Sequence, residues 1–387
     1  MRVTFFIALL SILLASACVD RLSLEINTEV SLGISIDGFI SDQSGPYEIR
    51  IYSIFDIESK ESMKTPVSAK SLIISDNKGN VETLQEIDAG IYQTSPSGIK
   101  GESGGIYKMK IELFDGRIYE SLPDTILTPG SLDSLYLKFN ETYNVVGQKE
   151  YNFDILFDAS YDELTNNHFL WRFQGTFQAE THPELYPHPP PFTGPGQCFW
   201  LREISRCNYL PPCSGYRNVG TDRLPEYKKK YDCTCCTCWY NLFNPYPILS
   251  DELTSGGKVT GVKAGTVPLN QWTLEHKIRL DLSQMSLTHN TFRYWKAIRD
   301  QEKATGNLFQ PVSGRIPRNF IQLSGSSIPI EGLFFATSIS RQVKYLDRFL
   351  LPPNLASSIS TDEPIFADDC RLLFPNSTNS KPAFWKD

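Results

Sequence analysis

Four of the chain's nine cysteines fall within six positions of the stretch DCTCCTCWY: Cys233, Cys235, Cys236 and Cys238. Thiols this dense support three kinds of chemistry. Two residues separate Cys233 from Cys236, and Cys235 from Cys238, which is the spacing of structural zinc sites. The same C-x-x-C spacing occurs in redox motifs, but no βαβ pattern surrounds it here. In an oxidising compartment such thiols close disulfides instead. The choice depends on where the chain resides.

The N-terminus MRVTFFIALLSILLASACVD answers that question. One basic residue, Arg2, precedes an apolar run from Phe5 to Leu14, and small residues Ala15–Ala17 lead to Cys18. This is the layout of a secretory leader, too short to span a bilayer as a stable helix. A cysteine directly after small residues resembles a bacterial lipobox, which makes Cys18 the lipidation candidate. Ala15 stands where such leaders usually carry leucine, and ordinary cleavage after Ala17 is the alternative. The expected layout is therefore a leader over 1–17 and a lipid-anchored tether over 18–27. Buried acyl chains would supply the anchor, at about 0.8 kcal/mol per methylene. Export leaves eight cysteines as disulfide candidates: Cys198, Cys207, Cys213, Cys233, Cys235, Cys236, Cys238 and Cys370. Cys235 and Cys236, being adjacent, are expected to reach other partners. Cys198, Cys207 and Cys213 lie upstream in the same segment.

Other chemistry is sparse. No Gly-x-Ser-x-Gly elbow, His-Glu-x-x-His helix or phosphate-cradling glycine loop is present. Of the five histidines (His168, His182, His188, His276 and His289), His182 and His188 share a proline-rich loop, where they are either metal ligands or simply exposed. Asp362-Glu363 and Asp368-Asp369 read as cation ligands or as a solvated acidic loop. Phe199-Trp200 and Trp239-Tyr240 form either an aromatic patch for sugar or peptide stacking or a small core on the disulfides. Trp200, Trp239, Tyr240, His182 and His188 are thus the candidate ligand or partner surface. No catalytic residue, metal or cofactor is expected. The net charge of −7 disfavours nucleic acid.

The elements that would hold these residues are mainly β. Tyr47, Ile49 and Ile51 alternate with polar residues, as do Tyr107, Met109, Ile111 and Leu113. KSLIISDNKGN ends in turn composition, and Asp115-Gly116 reverses the chain. Strands at this spacing predict a β-sandwich over 28–125, of immunoglobulin-like or carboxypeptidase-regulatory-like type. LPDTILTPGSLDS reads as a linker into a second β-rich domain over 131–387. Strands are expected around Tyr136–Phe139, Tyr151–Phe157, Phe169–Phe177 and Trp272–Leu282. A cysteine-rich insertion over about 180–247 lacks any period, and disulfides would offset its ordering entropy by about 2–4 kcal/mol each. One helix follows, capped by Ser286 or Thr288, with Leu287, Thr291, Trp295 and Ile298 on one face and Gly306 past its end. GLFFATSISRQVKYL reads as one late strand. The tail ADDCRLLFPNSTNSKPAFW reads as non-helical and tied back by Cys370.

In order, DGFISDQSGPYEIRIY, PVSAKSLIISDNKGN, DSLYLKF, CTCCTCW, EGLFFATSISRQVKY and DDCRLLFPNSTNSKPAFW resemble the Bacteroidota outer-membrane lipoproteins grouped as domain of unknown function four-two-four-nine. Where that family has a second cysteine shortly before the one matched by Cys370, this chain has Asp368-Asp369. The resemblance implies a non-catalytic accessory or binding subunit of a TonB-dependent uptake complex, lipid-anchored at the outer membrane and facing the cell surface. A stand-alone structural or adhesive surface lipoprotein is the alternative. Asp124-Thr125-Ile126 and Asp133-Ser134-Leu135 resemble an O-glycosylation signal of some Bacteroidota, making Thr125 and Ser134 candidate acceptors.

Overall fold

The computed structural model describes residues 33–53, 65–183, 210–220, 226–244, 246–250, 256–270, 272–273, 276–304, 316–325, 330–346 and 369–386. The leader and Cys18 lie outside them, as do Cys198, Cys207, His188, Trp200 and Gly306.

The fold is mainly β. The first part of the chain forms β1 (Ile34–Ser41), β2 (Glu48–Ser53), β3 (Ala69–Asp76), β4 (Val81–Thr83), β5 (Gln85–Asp88), β6 (Ile91–Gln93), β7 (Ile106–Leu113), β8 (Ile118–Ser121) and β9 (Asp124–Thr125). β10 (Ser131–Tyr143), β11 (Lys149–Ser160) and β12 (Phe169–Glu180) follow. The cysteine-rich region adds β13 (Tyr216–Asn218), β14 (Tyr227–Lys229), β15 (Thr237–Phe243) and β16 (Ile248–Leu249). Then come β17 (Lys258–Pro268), β18 (Ile278–Ser286), helix α1 (His289–Ala304), β19 (Phe320–Ser324), β20 (Ile330–Thr337), β21 (Ile339–Leu346) and a single helical turn, α2 (Cys370–Leu373).

The strand alternation seen in the sequence places the first core. Ile49 and Ile51 of β2, and Tyr107, Met109, Ile111 and Leu113 of β7, all point inward. Two sheets enclose them, in the orders β20-β1-β2-β6-β5 and β19-β8-β7-β3-β4, with β9 beside β7. Asp76 fixes the β3–β4 hairpin by accepting from the backbone amides of Lys78 and Asn80 at 2.9 and 2.8 Å, a local Asx-type turn.

Two strands of the sandwich come from late in the chain, across the 28–125 and 131–387 division read from the sequence. β19 pairs antiparallel with β8, and β20 pairs parallel with β1. The GLFFATSISRQVKYL run is therefore two strands, not one. It breaks at Ser338, whose amide donates to Ser286 Oγ at 3.0 Å, and β21 continues into the second unit against β18. β20 is the edge strand of its sheet, yet it is buried on both faces because other elements cover it. Phe334 and Ala336 enter the first core, while Leu333 and Phe335 enter a small core shared with α1. Gly332 makes the parallel pairing with β1 possible. Its φ is +100°, and a Cβ there would meet the Ile36 carbonyl oxygen at 1.9 Å.

The second unit packs sheet β10-β11-β17 against sheet β15-β12-β18-β21, with β16 beside β12. Alternate residues of β12 (Phe169, Trp171, Phe173 and Phe177) face its core together with Ile278, Leu280 and Leu282 of β18. The expected strand at Trp272–Leu282 begins later, at Ile278. Before it, Asn270 and Thr273 hydrogen-bond reciprocally and hold a turn, a local alternative to the ladder. Thr288, not Ser286, starts the helix, since Phe292 N donates to Thr288 O at 2.9 Å and Ser286 belongs to β18. The tail also differs from expectation by its turn of helix, which Asp369 caps by accepting from Arg371 N at 2.9 Å.

The apparent linker is bonded on every side. Asp124 is buried, and its carboxylate accepts from Thr288 Oγ1 at 2.5 Å, Thr291 Oγ1 at 2.9 Å and Ala336 N at 3.0 Å. Leu127 O accepts from Ser286 Oγ at 3.0 Å, and Pro129 O from Gln284 Nε2 at 2.6 Å. Burial raises the Asp124 carboxyl above the usual aspartate range, outweighing the hydrogen bonds from Thr288, Ala336 and Thr291 that lower it. A carboxyl with a raised folded-state pKa contributes most below its unfolded pKa, near about 3.9. That contribution is lost as pH rises through the folded value. The stability of the wild type relative to Asp124→Asn should therefore increase as pH falls from neutrality toward 4, measured by denaturant unfolding of both proteins across that range.

Candidate functional site

The outward face of the second sheet carries a concavity. On β12 the residues between the core-facing aromatics are Leu170, Arg172 and Gln174. On β18 they are Met285, Ser283 and Asp281, paired opposite them in that order. β21 continues the rows with Ile339 beside Met285 and Arg341 beside Ser283. At one end the rows are apolar and covered: Leu170, Met285 and Leu287 pack with Phe292, Leu333 and Phe335. At the other end they turn polar and open into a cleft of about 550 Å³. β1 borders it with Asp37 and Phe39, and α1 with Trp295, Ile298 and Glu302.

Two arginines of this face are in different states. Arg341 donates to Asp281 through Nε at 2.7 Å and through Nη2, and Arg279 Nη1 lies 2.6 Å from the same carboxylate. The hydrogen bond to Asp281 raises the Arg341 pKa. Arg172 stacks over the Trp295 ring, 4.9 Å from its centroid. Burial lowers its pKa, opposed only by the more distant charge of Asp37. Tyr294, next to Trp295, is pushed up to about 12 by burial and by the charges of Asp37 and Glu331. The arrangement can bind and orient a ligand. Its described lining holds no histidine, cysteine or lysine.

The sequence candidates lie elsewhere. Cys213 is bonded to Cys235, Cys233 to Cys236 and Cys238 to Cys370, with Cα separations of 5.5, 5.7 and 6.0 Å. Cys236 thus pairs with its near neighbour rather than reaching upstream. The groups Cys213/Cys235/Asp369 and Cys238/Asp369/Cys370 are close enough to hold an ion, but all four of their sulfurs are disulfide-bonded. Asp369 also pairs with Arg371, which holds its carboxyl below the ordinary range.

Trp239 and Tyr240 are not an exposed patch. Trp239 is buried, and Tyr240 joins Phe177 and Phe374 in a ring cluster at 5.6 and 5.3 Å, because the tail closes over β15. Trp239 and Thr378 exchange backbone hydrogen bonds of 2.8 and 3.1 Å, which covers the edge of that strand. His182 is half-buried at the end of β12. Nearby, His276 lies 3.4 Å from Glu180 and holds that carboxyl low. His168 and His289 meet through Nε2 and Nδ1 at 3.0 Å at the start of α1. Thr125 is half-buried in β9 between the buried Asp124 and Ile126, and the Ser134 hydroxyl donates to Asp158 at 2.7 Å.

Arg172 and the cleft were missed in the sequence, although a signal existed. In FLWRFQGTF an arginine interrupts a strand whose neighbours are apolar on both sides. A charge at such a position needs a partner or a function.

The Cys238–Cys370 bond joins residues 132 apart, whereas Cys233–Cys236 joins residues 3 apart. Cys370→Ala should therefore lower unfolding stability by about 2–4 kcal/mol. Replacing Cys233 and Cys236 together should cost clearly less. Denaturant unfolding under non-reducing conditions checks the order.

No curated protein matches the chain. A family model described as Domain of unknown function (DUF4249) matches residues 19–342, most of the 387 residues, and the chain therefore belongs to that family.

Proposed function

We propose that this chain is a lipid-anchored, non-catalytic binding subunit of a TonB-dependent uptake complex at the outer membrane, with the cleft beside Arg172 as its ligand site. The observation that carries the binding part is the composition and setting of that cleft. It is formed by paired strands and a packed helix, which are rigid. It combines aromatic walls with a few oriented polar groups, the usual make-up of a small-molecule site.

The anchoring part is supported by the leader ending at Cys18. No described helix is long and apolar enough to cross a membrane. The transporter part follows from the resemblance of the ordered motifs to outer-membrane lipoproteins that accompany TonB-dependent barrels.

A mild-detergent pull-down from native outer membranes through a C-terminal tag, followed by mass spectrometry, tests the assignment. A TonB-dependent barrel in stoichiometric amount is expected. Recovery of the lipoprotein alone would contradict the transporter role and favour the stand-alone surface protein.

A further inference from the structure

Of the two arginines that line the cleft, Arg341 is paired with Asp281 and Arg172 has no carboxylate partner among the described residues. Arg172 lines both the main cleft, with residues of β1 and α1, and a smaller hollow with Tyr47 and Arg50. It makes no hydrogen bond or ion pair with any described residue. Arg172 is half-buried, and a partly desolvated cation without a counter-ion is costly to hold. The indole Nε1 of Trp295, on whose ring it stacks, is likewise buried without an acceptor among the described residues. Arg172 therefore borders the cavity as a donor group without an acceptor among the described residues, on an indole that itself lacks one.

The geometry points to a small organic carboxylate as the ligand of this cleft, its carboxylate accepting from the Arg172 guanidinium and its body lying against Trp295, Phe39 and Met285. This deepens the binding reading above and rests on the cleft being the ligand site. A planar carboxylate matches the two parallel N–H groups of an arginine fork. A phosphate dianion fits less well. The Arg341 fork is already occupied by Asp281, so only one arginine is open. Asp37 and Glu302 stand at the same cleft and would repel a second negative charge. The volume of about 550 Å³ lies within the range of small-molecule sites.

Isothermal titration of the full chain in detergent tests the assignment, with sodium benzoate and sodium hexanoate as probes and benzyl alcohol and sodium phosphate as controls. Saturable binding of a carboxylate probe is expected, without binding of the alcohol and more weakly for phosphate. R172M should weaken carboxylate binding by about tenfold or more, and R172K, which keeps the charge but not the fork, should fall between. Circular dichroism verifies that each variant is folded, and R172K alone decides if R172M is not. The proposal is overturned if neither carboxylate binds, if the folded variants bind as the wild type does, or if phosphate is preferred. The pull-down is independent. Carboxylate binding lost in R172M, with no barrel recovered, would reject the transporter role and keep the ligand class. A recovered barrel with no carboxylate binding would do the reverse.

Discussion

The buried carboxylate of Asp124 is the constraint on which the remaining architecture depends. Its three hydrogen bonds join the end of the first run of strands to the first turn of α1, through Thr288 and Thr291, and to β20, through Ala336. An unpaired carboxylate at this depth would be strongly unfavourable, so the packing of these three elements against one another also satisfies the carboxyl group. β20 then carries the constraint in two directions. It is the parallel neighbour of β1, and through Ser338 it leads directly into β21 of the second sheet.

The position of the cleft follows from this assembly. The outward face of β12, β18 and β21 is covered only as far as α1 and β20 reach. Where the cover ends, the rows change from Leu170, Met285 and Ile339 to Arg172, Ser283 and Arg341. Asp37 and Phe39 are brought to the rim by β1, whose place is set by β20. The disulfide region serves a different purpose in the described structure. It clamps the tail over the edge of β15, so that Phe374 completes the second core beside Phe177, Tyr240 and Trp272.

Much of this was legible in the sequence because burial imposes a period of two on strands. Tyr107, Met109, Ile111 and Leu113 show that period and are buried, and the single long helix was marked by Thr288 and by its spacing. Local pattern does not reveal which strands from distant segments become neighbours. β20 is buried on both faces and shows no alternation, so its membership of the first sandwich and its break at Ser338 had no local signature. The Pro123–Gly130 stretch carries linker composition, yet Asp124, Leu127 and Pro129 are bonded to residues more than 150 positions away. The candidate site was obscured for the same reason. Arg172 stands out among apolar neighbours in FLWRFQGTF, but its cleft exists only once β1 and α1 pack beside β12, and the choice between a patch and a small core at Trp239 is decided only when Cys370 brings the tail across it.

The central claim is that the two β units unfold as one body through Asp124 and the β20–β21 connection. Native-state hydrogen exchange with increasing denaturant measures this directly, by comparing the protected amides of β7 with those of β12. The account predicts that both sets merge into one global unfolding free energy. Two separate isotherms, with β12 amides exchanging while β7 amides remain protected or the reverse, would contradict it.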